Sequence, residues 1–180
     1  MCIRDSSSAF HVGADPALLG MIFRPATVPR HSLENILETQ SFTINHVHAQ
    51  IIEQAHQTSA RYERDQSEFK AVGLNEEFSD VVTAPYVKES RLKFGLELAS
   101  HQTIELNQTV LVIGRVVEIL VEDEAVQPDG YIDLDMLNTA SITGLDSYHV
   151  SQRVARLSYA KPSRQLKQLN VDGSECGEPD

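Results

Sequence analysis

Apolar and polar positions alternate strictly in two stretches of this chain, and the first expectations rest on them. Leu92, Phe94, Leu96 and Leu98 alternate with Arg91, Lys93 and Glu97, the period of a strand with one buried face. The same period places Phe42 and Ile44 opposite Thr43 and Asn45, so that an apolar face goes to a core and a hydrogen-bonding face to a cleft. Thr109–Val121 is almost continuously β-prone, with Gly114 inside it, where a bulge or bend suits the wall of a barrel. Residues 18–23 form an apolar run short enough for a buried strand. Residues 7–12 read as another strand before it, joined by the turn Gly13-Ala14-Asp15-Pro16.

Elsewhere the period is helical. Leu33, Ile36 and Leu37 define one buried face of a short helix, with Ser32 as its N-cap after the rigid turn at Pro29. Ile51, Ile52 and Ala55 predict a second helix within residues 48–60, and residues 67–72 a third. Residues 75–86 read as a loop able to lie over a site. Residues 123–138 are acidic and rich in turns. Residues 140–143 and 154–159 then read as the last core strands, separated by the polar segment 144–149. Residues 1–6, MCIRDS, read as a non-native start on a truncated frame, and residues 163–180 as a polar, disordered tail. One domain over residues 7–162 is expected, mainly β with connecting helices, and its order of elements fits a β-barrel better than a parallel βαβ sheet.

Composition narrows the function. The formal charge is −11 and no long basic run is present, which argues against nucleic acid as a general partner. No apolar stretch is long enough for a membrane helix and no secretory signal is visible, so a soluble, cytoplasmic protein without a membrane partner is expected. Cys2 and Cys176 lie near opposite ends and form neither a disulfide framework nor a CxxC pair. With no tryptophan, stacking on a flat ligand falls to Tyr, Phe or His.

The candidate chemistry is concentrated in residues 24–45. Arg24, Arg30 and His31 precede a helix start, where free N–H groups and the positive end of the dipole favour an anion, and phosphate is the obvious candidate. From spacing alone the alternative stands beside it, since arginines near a turn often do no more than solvate a surface. His46, His48, Glu53 and His56 raise the question of a metal, but nothing in their spacing makes three or four of them converge, and none is expected. Tyr131 and Tyr159 are assigned to the core, and the acids of residues 122–135 to a solvated face.

Several runs carry a resemblance. SSAFHVGADPALLGMIFRPATVPRHSLENILETQSFTINHV, EQAHQTSARYERDQSEF, APYVKES, SITGLDSYHV and ARLSYAKP together resemble the flavin reductase-like, FMN-binding split-barrel family, in the right order and over residues 7–162. The resemblance implies a six-stranded split β-barrel with Greek-key connections, a homodimer, and FMN in a cleft near the dimer interface. It also implies hydride transfer from NAD(P)H to flavin. A second reading is a non-catalytic FMN electron carrier or ligand-binding barrel. By position in the motifs, Ser7 and Ser8 look like flavin-contacting serines, and Arg24, Arg30, His31 and Ser32 like the phosphate group of contacts. Asn45 and His46 look like the polar end of the following strand. Lys88 and Ser90 look like contacts near the flavin, with Lys88 placed to stabilise an anionic reduced ring. Tyr148 and His149 look like a late aromatic pair beside the cleft. Such proteins carry a further strand before the Ser-Ser pair, where this chain has MCIRDS, so a gap along one barrel edge is expected.

Overall fold

The computed structural model describes residues 6–25, 31–63 and 65–176, with backbone alone for residues 6–8. Strands β1 (Ser6–Ala14) and β2 (Ala17–Phe23) form a hairpin. Helix α1 (His31–Thr39) leads into β3 (Ser41–Asn45), and a 3-10 turn at Ala49–Ile51 runs on into α2 (Ile52–Gln57). Helix α3 (Glu68–Val72) precedes two short strands, β4 (Glu76–Glu77) and β5 (Tyr86–Val87). The long strands β6 (Leu92–Ile104) and β7 (Thr109–Val121) follow. Four short strands come last: β8 (Ala140–Thr143), β9 (Ser147–Val150), β10 (Arg156–Leu157) and β11 (Gln168–Leu169).

Five of these strands build one antiparallel sheet in the order β1-β2-β7-β6-β3. Strands β3, β6 and β7 are successive neighbours, while β2 lies beside β7, so the connection through α1 closes a Greek key. Laid flat, β2 and β3 would stand about 14 Å apart, three strand spacings. Met21 and Phe23 of β2 nevertheless share one buried cluster with Phe42 of β3, Leu96, Val112, and Leu33 and Ile36 of α1. The sheet therefore curls into an open barrel with α1 plugging it. Register irregularities between Gly95 and Leu96 and between Leu98 and Ser100 supply the bend, and Gly114 pairs with Leu98 at the second of them.

Several sequence expectations need correction. The resemblance implies six barrel strands, and the described sheet has five. Helix α1 begins at His31, so Ser32 sits one residue inside it, and Leu37 lies on its outer side, 38% exposed. Residues 147–149, expected within a polar connection, belong to β9, which pairs with β8 as a separate hairpin whose faces are largely exposed. Residues 154–159 do not join the core: Val154 is 95% and Tyr159 85% exposed, because among the described residues no second layer covers them. Within the expected tail, Gln168 and Leu169 pair with Leu157 and Arg156. Asp133, expected in a solvated acidic face, is buried against Arg153 at 3.0 Å. Among the described residues no helix is long and apolar enough to cross a membrane.

Candidate functional site

The curl leaves a seam where β1 and β2 face the end of β3. A cavity of about 220 Å³ lies in it, lined by Ala9 and Met21 on one side, residues 43–47 on the other, and Ile51, Ala55, Thr58, Leu74, Val87 and Ser90 below. Alternation along β3 explains the polar lining, since Phe42 goes to the core and leaves Thr43 and Asn45 on the opposite face. Both are held by the β5 segment. Thr43 Oγ1 donates to the Pro85 carbonyl (2.8 Å), and the Asn45 side-chain oxygen accepts from the Val87 N–H (3.0 Å) while its amide donates to Thr43 Oγ1 (3.0 Å).

His46 follows β3 directly. Its N–H donates to the Leu92 carbonyl (2.9 Å), its own carbonyl accepts from Ser90 Oγ (2.8 Å), and its ring packs against Phe94 with centroids 5.7 Å apart. Burial pushes its pKa below the ordinary histidine value. Its Nδ1 is buried without a hydrogen-bond partner. Ser90 Oγ also reaches the Leu92 carbonyl (3.0 Å), so it staples the turn before β6 to the end of β3.

On its other side Ser90 borders a larger groove of about 610 Å³. Lys88, Arg91 and Lys93 face Glu77, Glu89 and Glu122 across it. Lys93 pairs with Glu77, and Arg91 with Glu122 at 3.5 Å. Glu89 accepts from the Asn75 side chain at 2.7 Å. His48 is tied to Gln50 Oε1 at 2.5 Å and to the Glu89 carbonyl at 2.9 Å. Acids and bases balance here, so the groove is no focused anion trap.

The loop between β4 and β5 lies on the sheet rather than standing free, with Val82 and Tyr86 buried over Gly95. The Tyr86 hydroxyl donates to Glu118 Oε2 (2.6 Å), as does Ser79 Oγ (2.7 Å). Burial, and next the Glu118 carboxylate, push the Tyr86 phenol well above its ordinary range.

The sequence-predicted residues fall into three groups. Asn45, His46 and Ser90 meet at the seam cavity, and Lys88, exposed, lines the adjoining groove. Arg24 is exposed just after β2, His31 and Ser32 are half-buried in the first turn of α1, and Arg30 lies outside the described residues. Ser7 and Ser8 belong to β1, one and two residues before Ala9 of the cavity wall, and their side chains are not described. Tyr148 and His149 stand on the β8–β9 hairpin. The Tyr148 hydroxyl lies 3.2 Å from His56 Nδ1 on α2, and His149 Nε2 lies 3.0 Å from Thr143 Oγ1. Sequence reasoning missed Ala9 and Met21 as cavity wall, whose only signal was apolar character, missed Thr58, whose hydroxyl is spent on its own helix, and missed the pairing of Lys93 with Glu77. Among the described residues no three His, Cys, Asp or Glu side chains form a metal-sized cluster.

The family model described as "Flavin reductase like domain" matches residues 6–138. The chain belongs to the flavin reductase-like family, and its open, curled sheet is that family's split barrel. A candidate flavin reductase with a split barrel domain from Shewanella frigidimarina NCIMB 400 is 53% identical, with a TM-score of 0.82 over 86% of this chain and 77% of its own. Nitrilotriacetate monooxygenase component B from Bacillus cereus is 23% identical, with a TM-score of 0.76 over 84% of this chain and 77% of its own, and shares the fold. The uncharacterized protein YwrF of Bacillus subtilis (strain 168) is 31% identical over 136 residues, 72% of this chain and 66% of that protein. The chain spans 47% to 66% of the length of the curated relatives it matches.

Proposed function

We propose that this protein is an FMN-binding oxidoreductase that passes a hydride from NAD(P)H to flavin, acting as a homodimer in the cytoplasm. The observation that carries this reading is the seam cavity of a flavin reductase-like barrel, where the His46 ring makes no hydrogen bond among polar side chains that are otherwise paired. The fit is that of a partial wall. A cavity of about 220 Å³ is smaller than the roughly 300–1,000 Å³ of complete ligand pockets, so its residues would hold only part of a flavin.

When bound, the isoalloxazine supplies the hydride chemistry, and no protein nucleophile is required. The chain's own residues bind and orient. Arg24, Arg30, His31 and Ser32 hold the phosphate at the start of α1, where backbone N–H groups already favour an anion. Ser7 and Ser8 line the approach along β1. Asn45, His46 and Ser90 form the polar wall, and Lys88 brings positive charge towards the ring. Tyr148 and His149 flank the cleft. Exposed Val154, Leu157 and Tyr159 offer apolar surface to the partner subunit.

The purified protein should show flavin absorbance when mixed with FMN, and should oxidise NADH or NADPH when FMN is present. Flavin binding without nicotinamide oxidation would make it an electron carrier. A chain that takes up no FMN would overturn the reading altogether. Arg30→Ala and Ser32→Ala should each weaken FMN binding, and unchanged affinity in both would move the phosphate elsewhere.

A further inference from the structure

We infer that His46 is held as its Nε2–H tautomer and presents that N–H as a hydrogen-bond donor to the acceptor edge of the flavin ring. This rests on the flavin reading above and assigns one atom within it.

Position comes first. The backbone of His46 is pinned on both sides, through Leu92 and Ser90, and its ring is braced by Phe94, so the imidazole has little freedom to turn away from the cavity it lines. The proton follows from the two nitrogens. Nδ1 is buried with no partner. A buried N–H without an acceptor is rarer and costlier than an unfilled lone pair, so the single proton of the neutral ring belongs on the other nitrogen. Nε2 is not among the buried unpartnered atoms and makes no hydrogen bond with any described residue, which leaves it reachable by a ligand.

The remaining polar side chains of the cavity are engaged. Thr43 donates to Pro85, Asn45 bonds Thr43 and Val87, Thr58 Oγ1 donates to the Ala55 carbonyl at 2.7 Å, and Ser90 donates to His46 and Leu92. Among the described polar side chains of the cavity, His46 is the one that makes no hydrogen bond. The pyrimidine side of an isoalloxazine carries carbonyl and imine acceptors, which a neutral, correctly tautomerised imidazole satisfies without placing a full charge in the apolar seam.

Three measurements test this. In the flavin-free wild-type protein, nitrogen-15 NMR of the histidine rings should report His46 with its proton on Nε2, and a proton on Nδ1 would overturn the inference whatever the variants do. In FMN titrations, His46→Phe should weaken Kd by roughly 3- to 10-fold, the scale of one neutral hydrogen bond. His46→Gln, whose amide N–H reaches the place of Nε2–H, should restore most of that loss. The flavin carbonyl band should move to higher frequency in His46→Phe alone, a shift that a packing role would not produce. Wild-type FMN binding with equal affinity and an unmoved band in His46→Phe would overturn the donor role and leave the flavin reading standing. Absence of FMN binding by the wild type would overturn both.

Discussion

Gly114 is a position at which the curl of the barrel leaves no room for one added carbon. A Cβ there would stand 2.5 Å from Phe42 Cζ and 2.9 Å from both Phe42 Cε1 and Leu96 Cδ2, where ordinary contact begins near 3.4 Å. Phe42 is 5% exposed and Leu96 fully buried, so neither ring nor isobutyl group has free space to enter. Overpacking of this kind costs about 1–3 kcal/mol. Replacing glycine also removes freedom from the unfolded chain, which offsets about 0.4–1 kcal/mol. From the middle of each range, Gly114→Ala should therefore lose about 1.3 kcal/mol net, or about 3–5 °C in Tm for a chain of this length. Urea denaturation followed by circular dichroism gives the first number and calorimetry the second. The clash is with the far end of the Phe42 ring, so Phe42→Leu should couple favourably to Gly114→Ala, the double variant losing less than the sum by about 1 kcal/mol. A Gly114→Ala variant as stable as wild type, or strictly additive losses, would refute the geometry of the seam. Because Phe42 is followed directly by the cavity wall, its displacement should also loosen FMN binding.

Tyr86→Phe removes the 2.6 Å bond to Glu118, which keeps Ser79, and should cost about 1 kcal/mol in urea unfolding. The folded phenol holds its proton where the unfolded one, near pKa 10, has lost it; wild-type stability therefore falls as pH rises above about 10, and Tyr86→Phe should flatten that fall. His46 behaves in the opposite sense. Its folded pKa is depressed, so the unfolded chain binds a proton first as pH drops below about 6.5, and stability declines from there down to the folded value; urea midpoints between pH 7 and pH 5 should decline less in His46→Gln.

The strands β2, β3, β6 and β7 were legible because each has a face that must be buried, and alternation or a short apolar run reports that directly. The β8–β9 hairpin was not. Its faces are mostly exposed, so ASIT and SYHV need no alternation, and its turn rests on Gly144 at a φ of 63°. The reverse error occurred at residues 154–159, where apolar residues suggested a core strand. Apolar character records a tendency to be buried, while burial needs a facing layer, and none covers Val154 or Tyr159. The curl itself was only half visible. Gly114 marked it, but Gly95 was given no part in it. In the fold it is the place where Tyr86 crosses so closely that a Cβ would overlap the phenol oxygen.

The candidate site shows the same limit in its polar residues. Asn45 and Ser90 were legible as hydrogen-bonding groups, but a sequence displays a donor without its partner, and theirs lie far along the chain: Val87 is 42 residues from Asn45, and His46 is 44 from Ser90. Those bonds direct both side chains into the protein, one gripping β5 and the other tying the turn before β6 to the end of β3. Their effect on a ligand then passes through the residue they flank. Thr43 and Asn45 fix the direction of the strand, Ser90 and Leu92 fix the backbone of His46, and Phe94 fixes its ring. Polar side chains that read in sequence as equivalent contacts resolve in the fold into paired groups of the scaffold and one histidine ring that they hold in place.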